Sequence, residues 1–343
     1  MAKTKTDDSL MDQLLKGVDG LTVASNSDFK FDRIPFGIPQ LDKLTGGGIP
    51  KKRFTLLTGQ PSGGKSYLAM KAVESVQKKG GTAVWIDTEM SLDESWFRKC
   101  GVNPDLLLAS QPENGEAAIE IARSVMEAGV DLVVIDSIAG LVPAAELQDF
   151  DKNPMGWLAR FVNGSLSRLI SRLKHGSALV CINQQRSSIG PVAIKEMPGG
   201  KGQVYWNHMM LEVRRAGWIE DKKTKVKEGF DMEVTLKKNK TSADHWSKVV
   251  VPFRVDGGID ILESYMREGL AYGYIKQAGA WYQYAEQKVM GLNGLKSLLT
   301  EHPELGEQLK EQVNAAQPAT ATNGDDPTGS KDSKLLKCCL LYT

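Results

Sequence analysis

Only four cysteines occur in the 343 residues, Cys100, Cys181, Cys338 and Cys339, and none of them form a Cys-x-x-Cys pair. That removes a zinc ribbon and a disulfide framework from consideration, and it fits a reducing, cytoplasmic setting. Nor is one sign of charge in excess. Lys and Arg number 43 against 42 Asp and Glu, for a net charge of +1. Any basic surface for nucleic acid must therefore be local. No apolar run approaches the length that spans a bilayer. The opening MAKTKTDDSL has no apolar stretch behind its lysines, so no signal peptide is expected. What remains is ordinary for a globular protein, with 41% hydrophobic and 25% charged residues. The length suits one large core domain with a smaller satellite.

Residues 9–18, SLMDQLLKGV, place Leu10, Met11, Leu14, Leu15 and Val18 on one helical face. Ser9 and Asp12 resemble a capping box. Such a helix either packs on its own domain or forms an arm that docks on a neighbouring subunit. Residues 34–50, IPFGIPQLDKLTGGGIP, make an irregular approach rich in Pro and Gly. Short apolar segments then alternate with helical ones. Strands are expected at 54–58, 82–87, 132–136 and 178–183, and helices near 65–79, 115–128 and 155–174. This pattern predicts an α/β fold with a mostly parallel sheet covered by helices on both faces. Residues 186–200, RSSIGPVAIKEMPGG, show no period and read as a long functional loop. Strands resume at 209–215, 232–240 and 249–255, the last closing the core. Residues 1–33 thus read as an N-terminal arm, 34–262 as the core and 263–315 as a small α+β domain. Residues 316–334 are too polar to order themselves, and the terminal LLKCCLLYT adds an apolar patch to that tail.

Gly59-Gln60-Pro61-Ser62-Gly63-Gly64-Lys65-Ser66 matches G-x-x-x-x-G-K-[ST] between a strand and a helix. Gly63 and Gly64 let backbone N–H groups curl around phosphate oxygens at a helix N-terminus. Lys65 would reach the terminal phosphates of ATP, and the Ser66 hydroxyl would ligate Mg²⁺. Asp136, at the end of an apolar strand, is the second acidic position beside the metal; its plainer role is to cap the next turn. Glu89 and Asp87 lie where parallel strands end on one edge. Either could orient or deprotonate an attacking water. Trp96 could stack on adenine, although an aromatic here is more often core.

Taken together, these segments resemble the RecA family over roughly residues 34–312. The segments are DTEMSLD, SQPENGEAAIEIA, VVIDSIAGLVPAAEL, INQQRSSIG, KKNK and AGAWYQY. The combination is highly specific, and only the phosphate loop would be so alone. The resemblance implies that Glu89 is the catalytic glutamate. It makes Gln184 the sensor of the γ-phosphate, and Lys238 and Lys240 lysines that reach across a subunit interface to the neighbour's ATP. Unaided, those two lysines read as a solvated basic run. Tyr67, Asp93 and Trp96 join the loop as nucleotide contacts. Two DNA-binding loops are implied, at about 148–156 and 186–200. In them Met155 and Ile189 would wedge between stacked bases, while Gly156, Arg160, Asn163, Arg186, Ser187, Gly199 and Gly200 contact the backbone. The plainer readings are a helix-start core residue for Met155 and a loop anchor for Ile189. The family role is a helical filament on single-stranded DNA that pairs with homologous duplex and exchanges strands, in recombination, repair and the SOS response to DNA damage.

Several departures suggest a divergent, phage-type member. The second loop is about two residues short. Ser167 and Ser188 stand where basic residues are common, with Lys195 and Lys201 nearby to compensate. The tail lacks a dense acidic run. Two rival functions stand beside the recombinase. One is a RadA-like branch-migration ATPase or helicase, which would carry a four-cysteine zinc motif and KNRFG. The other is a nucleotide-switched assembly protein, which has no need of Glu89.

Overall fold

The computed structural model describes residues 7–23, 31–148, 156–187, 195–221, 224–242 and 247–316. Helix α1 (Asp7–Gly17) precedes a small strand pair, β1 (Arg33–Ile34) with β2 (Ile49–Pro50), that brackets α2 (Pro39–Thr45). The main run is β3 (Phe54–Gly59), α3 (Lys65–Lys78), β4 (Ala83–Asp87), α4 (Glu94–Lys99), β5 (Leu107–Ser110) and α5 (Gly115–Glu127). It continues through β6 (Leu132–Asp136), α6 (Ala144–Gln148), α7 (Trp157–Arg172) and β7 (Ala178–Gln184). The pair β8 (Arg186–Ser187) and β9 (Lys195–Glu196) leads to α8 (Gly202–Trp206). Then come β10 (Met209–Glu220), β11 (Lys227–Asn239), β12 (Lys248–Arg254) and β13 (Gly258–Ile259). The described residues close with α9 (Ile261–Ala271), β14 (Lys276–Ala278), β15 (Trp281–Tyr284), β16 (Gln287–Met290), α10 (Gly291–Glu301) and α11 (Pro303–Ala316).

Nine strands form one sheet in the order β13-β12-β11-β10-β3-β7-β6-β4-β5. From β10 to β5 the neighbours are parallel, and from β10 to β13 antiparallel. The expected α/β fold with a mostly parallel sheet is what the chain adopts. Fully buried parallel strands carry apolar residues on both faces. Accordingly Leu56, Ile86 and Ile135 face one core, while Leu57, Trp85 and Val134 face the other. Helix α3 covers the second face with Leu68, Ala72 and Val76. Helices α5 and α7 cover the first, with Ala118, Ala122 and Met126 from one and Val162, Leu166 and Leu169 from the other. These stripes repeat at three or four residues, as a helix lying on a sheet requires.

Strand β3 lies between β10 and β7, yet the next large strand in sequence, β4, lies beyond β7 and β6. The chain therefore reverses direction of growth at β3, and the ends of β3, β4, β6 and β7 open onto one crevice. A separate three-stranded sheet, β14-β15-β16, packs with α9, α10 and α11 around Met266, Tyr284, Leu295, Leu299 and Leu309.

Several expectations change. Helix α1 includes Asp7 to Gly17, so Ser9 lies within it rather than at its start. The stretch 186–200 holds a short antiparallel pair, with Arg186 opposite Glu196 and Ser187 opposite Lys195. Strand β12 does not close the sheet, because β13 adds one more edge. Strand β5 was not foreseen, whereas β14, β15 and β16 supply the strands of the small α+β domain expected at 263–315. Of the tail expected at 316–343, Ala316 ends α11 instead, and the rest, with both Met155 and Ile189, lies outside the described residues. Among the described residues no helix is long and apolar enough to cross a membrane.

Candidate active site

The glycine-rich loop joins the buried end of β3 to the first turn of α3. Gly64, the N-cap, has φ 100°, a left-handed value, and a Cβ there would drive into the Met232 side chain. Only glycine suits such a position. The first N–H groups of α3, including that of Tyr67, have no helical partner and face the loop. Lys65 bends back, donating to the carbonyls of Gly59 (3.1 Å) and Gln60 (2.8 Å). The residue is 6% exposed, and burial pulls its pKa below the ordinary lysine value against the pull of Asp136 and Glu89. Gln60, Pro61, Ser62 and Gly63 complete the loop, with Ser62 also at positive φ, 56°.

Ser66 Oγ donates to Asp136 Oδ2 at 2.7 Å, so the end of β6 meets the start of α3. Burial pushes Asp136 up to about 6, with Glu89 and Asp87 adding to the rise and Ser66 opposing it. A buried carboxylate raised in this way is an unmet demand for positive charge. Among the described residues no group of three His, Cys, Asp or Glu side chains could hold a metal alone. A cation here would take Ser66 and Asp136 and complete its shell with phosphate and water, as Mg²⁺ does.

The two acids after β4 are held differently. Asp87 is fully buried and receives the Leu92 N–H (2.8 Å), the Gln111 amide (3.0 Å) and the Glu89 N–H (3.2 Å). It is spent on shaping the turn. Glu89 Oε1 instead accepts from Ser137 Oγ (2.5 Å) and from Gln184 Nε2 (3.0 Å). Thr88 fastens the two strand ends together, since its Oγ1 donates to the Ser137 carbonyl (2.7 Å) and accepts the Ser137 N–H (2.9 Å). Gln184 and Glu89 are thus in direct contact beside the loop. Ser137, Thr88 and Gln111 were not singled out from sequence; Ser137 was visible only as the residue after Asp136.

Asp93 and Trp96 form their own unit, in which Asp93 Oδ1 caps α4 by accepting the Trp96 N–H at 3.0 Å. The Trp96 ring is half-buried against the core. The Tyr67 side chain does not line the crevice. It is 6% exposed, its hydroxyl accepts the Ile259 N–H at 2.8 Å, and its ring meets Phe253 edge-on. Any nucleotide contact from this position is limited to the backbone.

Lys238 and Lys240 stand apart from the loop. Lys238 pairs with Met210, which pairs with Leu56 of β3; Lys240 lies one residue beyond Asn239, whose partner Met209 pairs with Thr55. Lys240 is therefore level with Phe54, five residues and about 17 Å of strand from Gly59. Neither lysine can touch a phosphate held by this chain's own loop. Lys238 Nζ donates to the carbonyls of Val204 (2.6 Å) and Tyr205 (3.2 Å). Partial burial, then Lys240, pulls it down to about 8.

The proposed DNA contacts gather where α7 meets α8. Gly156 caps α7, and Arg160 is exposed one turn on. Asn163 is exposed too, but its Oδ1 already accepts from Trp206 Nε1 at 2.7 Å. Gly199 and Gly200 pack against α7, while Arg186 and Ser187 leave directly from β7. Both expected loops thus open from the same edge as the phosphate loop.

A parallel sheet with a glycine loop between its central strand and a helix, and acids on the adjoining strand ends, defines the class: an α/β protein with a phosphate-loop crevice. Residues 15–260 match the RecA N-terminal domain and residues 267–317 the RecA C-terminal domain. The chain is 36% identical to Protein RecA of Aquifex aeolicus over 307 residues, 88% of each chain. To Protein RecA of Acidothermus cellulolyticus it is 34% identical over 289 residues, 82% of this chain and 83% of the other. The chain belongs to the RecA family.

Proposed function

We propose that the protein is an ATP-dependent homologous recombinase that forms a helical filament on single-stranded DNA and exchanges strands with homologous duplex. The observation that carries this reading is the contact between Glu89 and Gln184, made beside the phosphate loop and at the root of the 186–200 segment. One contact thus joins the place where ATP would be cut to the place where DNA would be held.

Residues 59–66 hold the phosphates, and Ser66 and Asp136 hold Mg²⁺, which neutralises phosphate charge when bound. Glu89 accepts a proton from the attacking water, with Ser137 and Gln184 fixing its carboxylate. Lys238 and Lys240 serve the nucleotide of the next subunit, because the strand register keeps them from their own. Such head-to-tail contacts need not close, and an open series is a helical filament. Leu10, Met11 and Leu14 on α1, and Val18 just after it, are each 46–57% exposed, which favours an arm docked on a neighbour over one packed at home. Arg160, Arg186 and the glycine-lined loop ends suit backbone contact without base readout, so binding is sequence-tolerant and weakens with salt.

ATP hydrolysis with and without single-stranded DNA tests the reading, for wild type and Glu89→Gln. Strong stimulation in the wild type is expected. In the variant turnover should fall by about 10²–10⁴-fold, the usual worth of a general base, with DNA binding kept. Equal turnover with and without DNA in the wild type would remove the recombinase reading.

A further inference from the structure

The segment after β9 is tied to the sheet by two buried amides. Asn183, the second-last residue of β7, and Gln203, in α8, are both at 0% exposure. Asn183 Nδ2 donates to the Pro198 carbonyl (2.8 Å) and to Gln203 Oε1 (2.7 Å). Gln203 Nε2 donates to the same Pro198 carbonyl (2.7 Å) and to that of Gly200 (2.9 Å). Backbone carbonyls only accept, so both amide nitrogens must face them and neither side chain can be turned over. All the donors are used, in a place water does not reach. A shift of Pro198 or a turn of Asn183 would strand donors there, and buried unmet donors are costly. The strand end and the loop end therefore move together.

This pair is anchored on both sides. Toward the nucleotide, Asn183 Oδ1 accepts the N–H of Gln184 (2.9 Å), whose side chain reaches Glu89. Thr58, next to the phosphate loop, donates from Oγ1 to Met197 Sδ at 3.2 Å. Toward the DNA side, Gly200 has φ 71°, and a Cβ there would stand 2.8 Å from Ala159 Cβ of α7. Only glycine lets the chain lie so close to the turn that carries Arg160 and Asn163. The Gln203 carbonyl takes the Asn207 Nδ2 at 2.8 Å, and Trp206 reaches Asn163.

We propose that Asn183 and Gln203 form the joint through which the nucleotide state at Gln184 sets residues 197–203 against α7, and with them the readiness to hold single-stranded DNA. The proposal rests on the recombinase reading and names its route. Both are positioning residues, since their polar atoms are engaged by protein. A purely structural pair would, when cut, lower stability and every rate alike. A joint, when cut, lowers a ratio.

Gln203→Met keeps length and volume and removes the donors. Basal ATP turnover without DNA should stay within about twofold of wild type. Stimulation by single-stranded DNA should drop by about tenfold or more, within the usual span of coupling factors. The preference for DNA with a non-hydrolysable ATP analogue over ADP should shrink by the same factor. A variant that keeps both ratios overturns the joint while leaving the recombinase reading intact. A wild type without stimulation removes that reading, and the joint with it. If Gln203→Met does not fold, amide exchange of wild-type residues 199–204 decides. Protection that differs between the ATP analogue and ADP, without DNA, supports the joint, and identical protection overturns it.

Discussion

His208 shows what burial does to a titratable side chain beside the sheet. It precedes β10, accepts the Phe54 N–H on Nδ1 (3.1 Å), and lines a basic cleft with Lys52, Arg53, Lys174 and His175. Burial, then Arg53, Lys240 and Lys238, holds its pKa down to about 4. An unfolded histidine titrates near 6.5. Between these values the unfolded chain binds a proton that the folded chain refuses, so this group makes folding less favourable as pH falls from about 6.5 to about 4. Above 6.5 it contributes no pH dependence. His208→Gln, which can still accept from Phe54, should therefore gain stability relative to wild type at pH 5 compared with pH 8. Denaturant melts of both proteins at the two pH values measure this, and the difference between them cancels other titrating groups. An unchanged difference would mean that the imidazole titrates normally. At this scale the phosphate loop was legible from sequence because its residues are contiguous. The Asn183–Gln203 pair was not, since it joins positions twenty residues apart with no local pattern, and the burial of Tyr67 against β13 was hidden for the same reason.

Elements were legible in proportion to their burial. The strands β3, β4, β6 and β7 are buried along almost their whole length and read as short apolar runs. Strand β5 is an edge, with Leu108 57% exposed, and LLAS carries no alternation to announce it. Strand β10 is largely exposed beyond Val213, and β11 opens on the exposed Lys227 and Glu228, so only their inner parts looked like strand. The turn of β15 and β16 uses Ala285 and Glu286 at positive φ (46° and 68°), a two-residue hairpin turn without the glycine or asparagine that usually signals it. Helices were found through their stripes, and the stripes are where their stability lies. Leu166, 1% exposed in the middle of α7, should cost about 2–5 kcal/mol when cut to alanine. Asn114, which caps α5 by accepting the Ala117 N–H at 2.8 Å, should cost about 1 kcal/mol as alanine. Urea melts of the two variants rank them, and a cap loss larger than the core loss would contradict the layer packing described here.

At the scale of the whole molecule, the proposed function makes the crevice of one chain incomplete. The phosphate loop lies at the carboxyl end of β3, whereas Lys238 is level with Leu56 and Lys240, just past β11, with the amino end of β3 at Phe54. A chain that needs both must borrow one of them from a neighbour. In the single chain the Lys238 ammonium rests on the carbonyls of Val204 and Tyr205 in α8, the helix that Gln203 ties to the loop end. Assembly would draw it toward phosphate, so nucleotide, neighbour and DNA loop would be coupled through a few residues around α8. Reciprocity then requires that DNA strengthen ATP binding as much as ATP strengthens DNA binding. The division of labour has a sharp consequence for mixtures. Lys65→Ala should be inactive because its own loop cannot hold ATP productively, and a Lys238→Ala/Lys240→Ala chain because its neighbour's nucleotide goes unserved. Mixed in equal amounts, they place an intact loop against intact lysines at about one interface in four if assembly is random. DNA-stimulated hydrolysis should therefore return to a sizeable fraction of the wild-type rate in the mixture, though neither variant has it alone. If the lysines acted within their own chain, every subunit in the mixture would still lack one essential part, and the mixture would stay as inactive as its components.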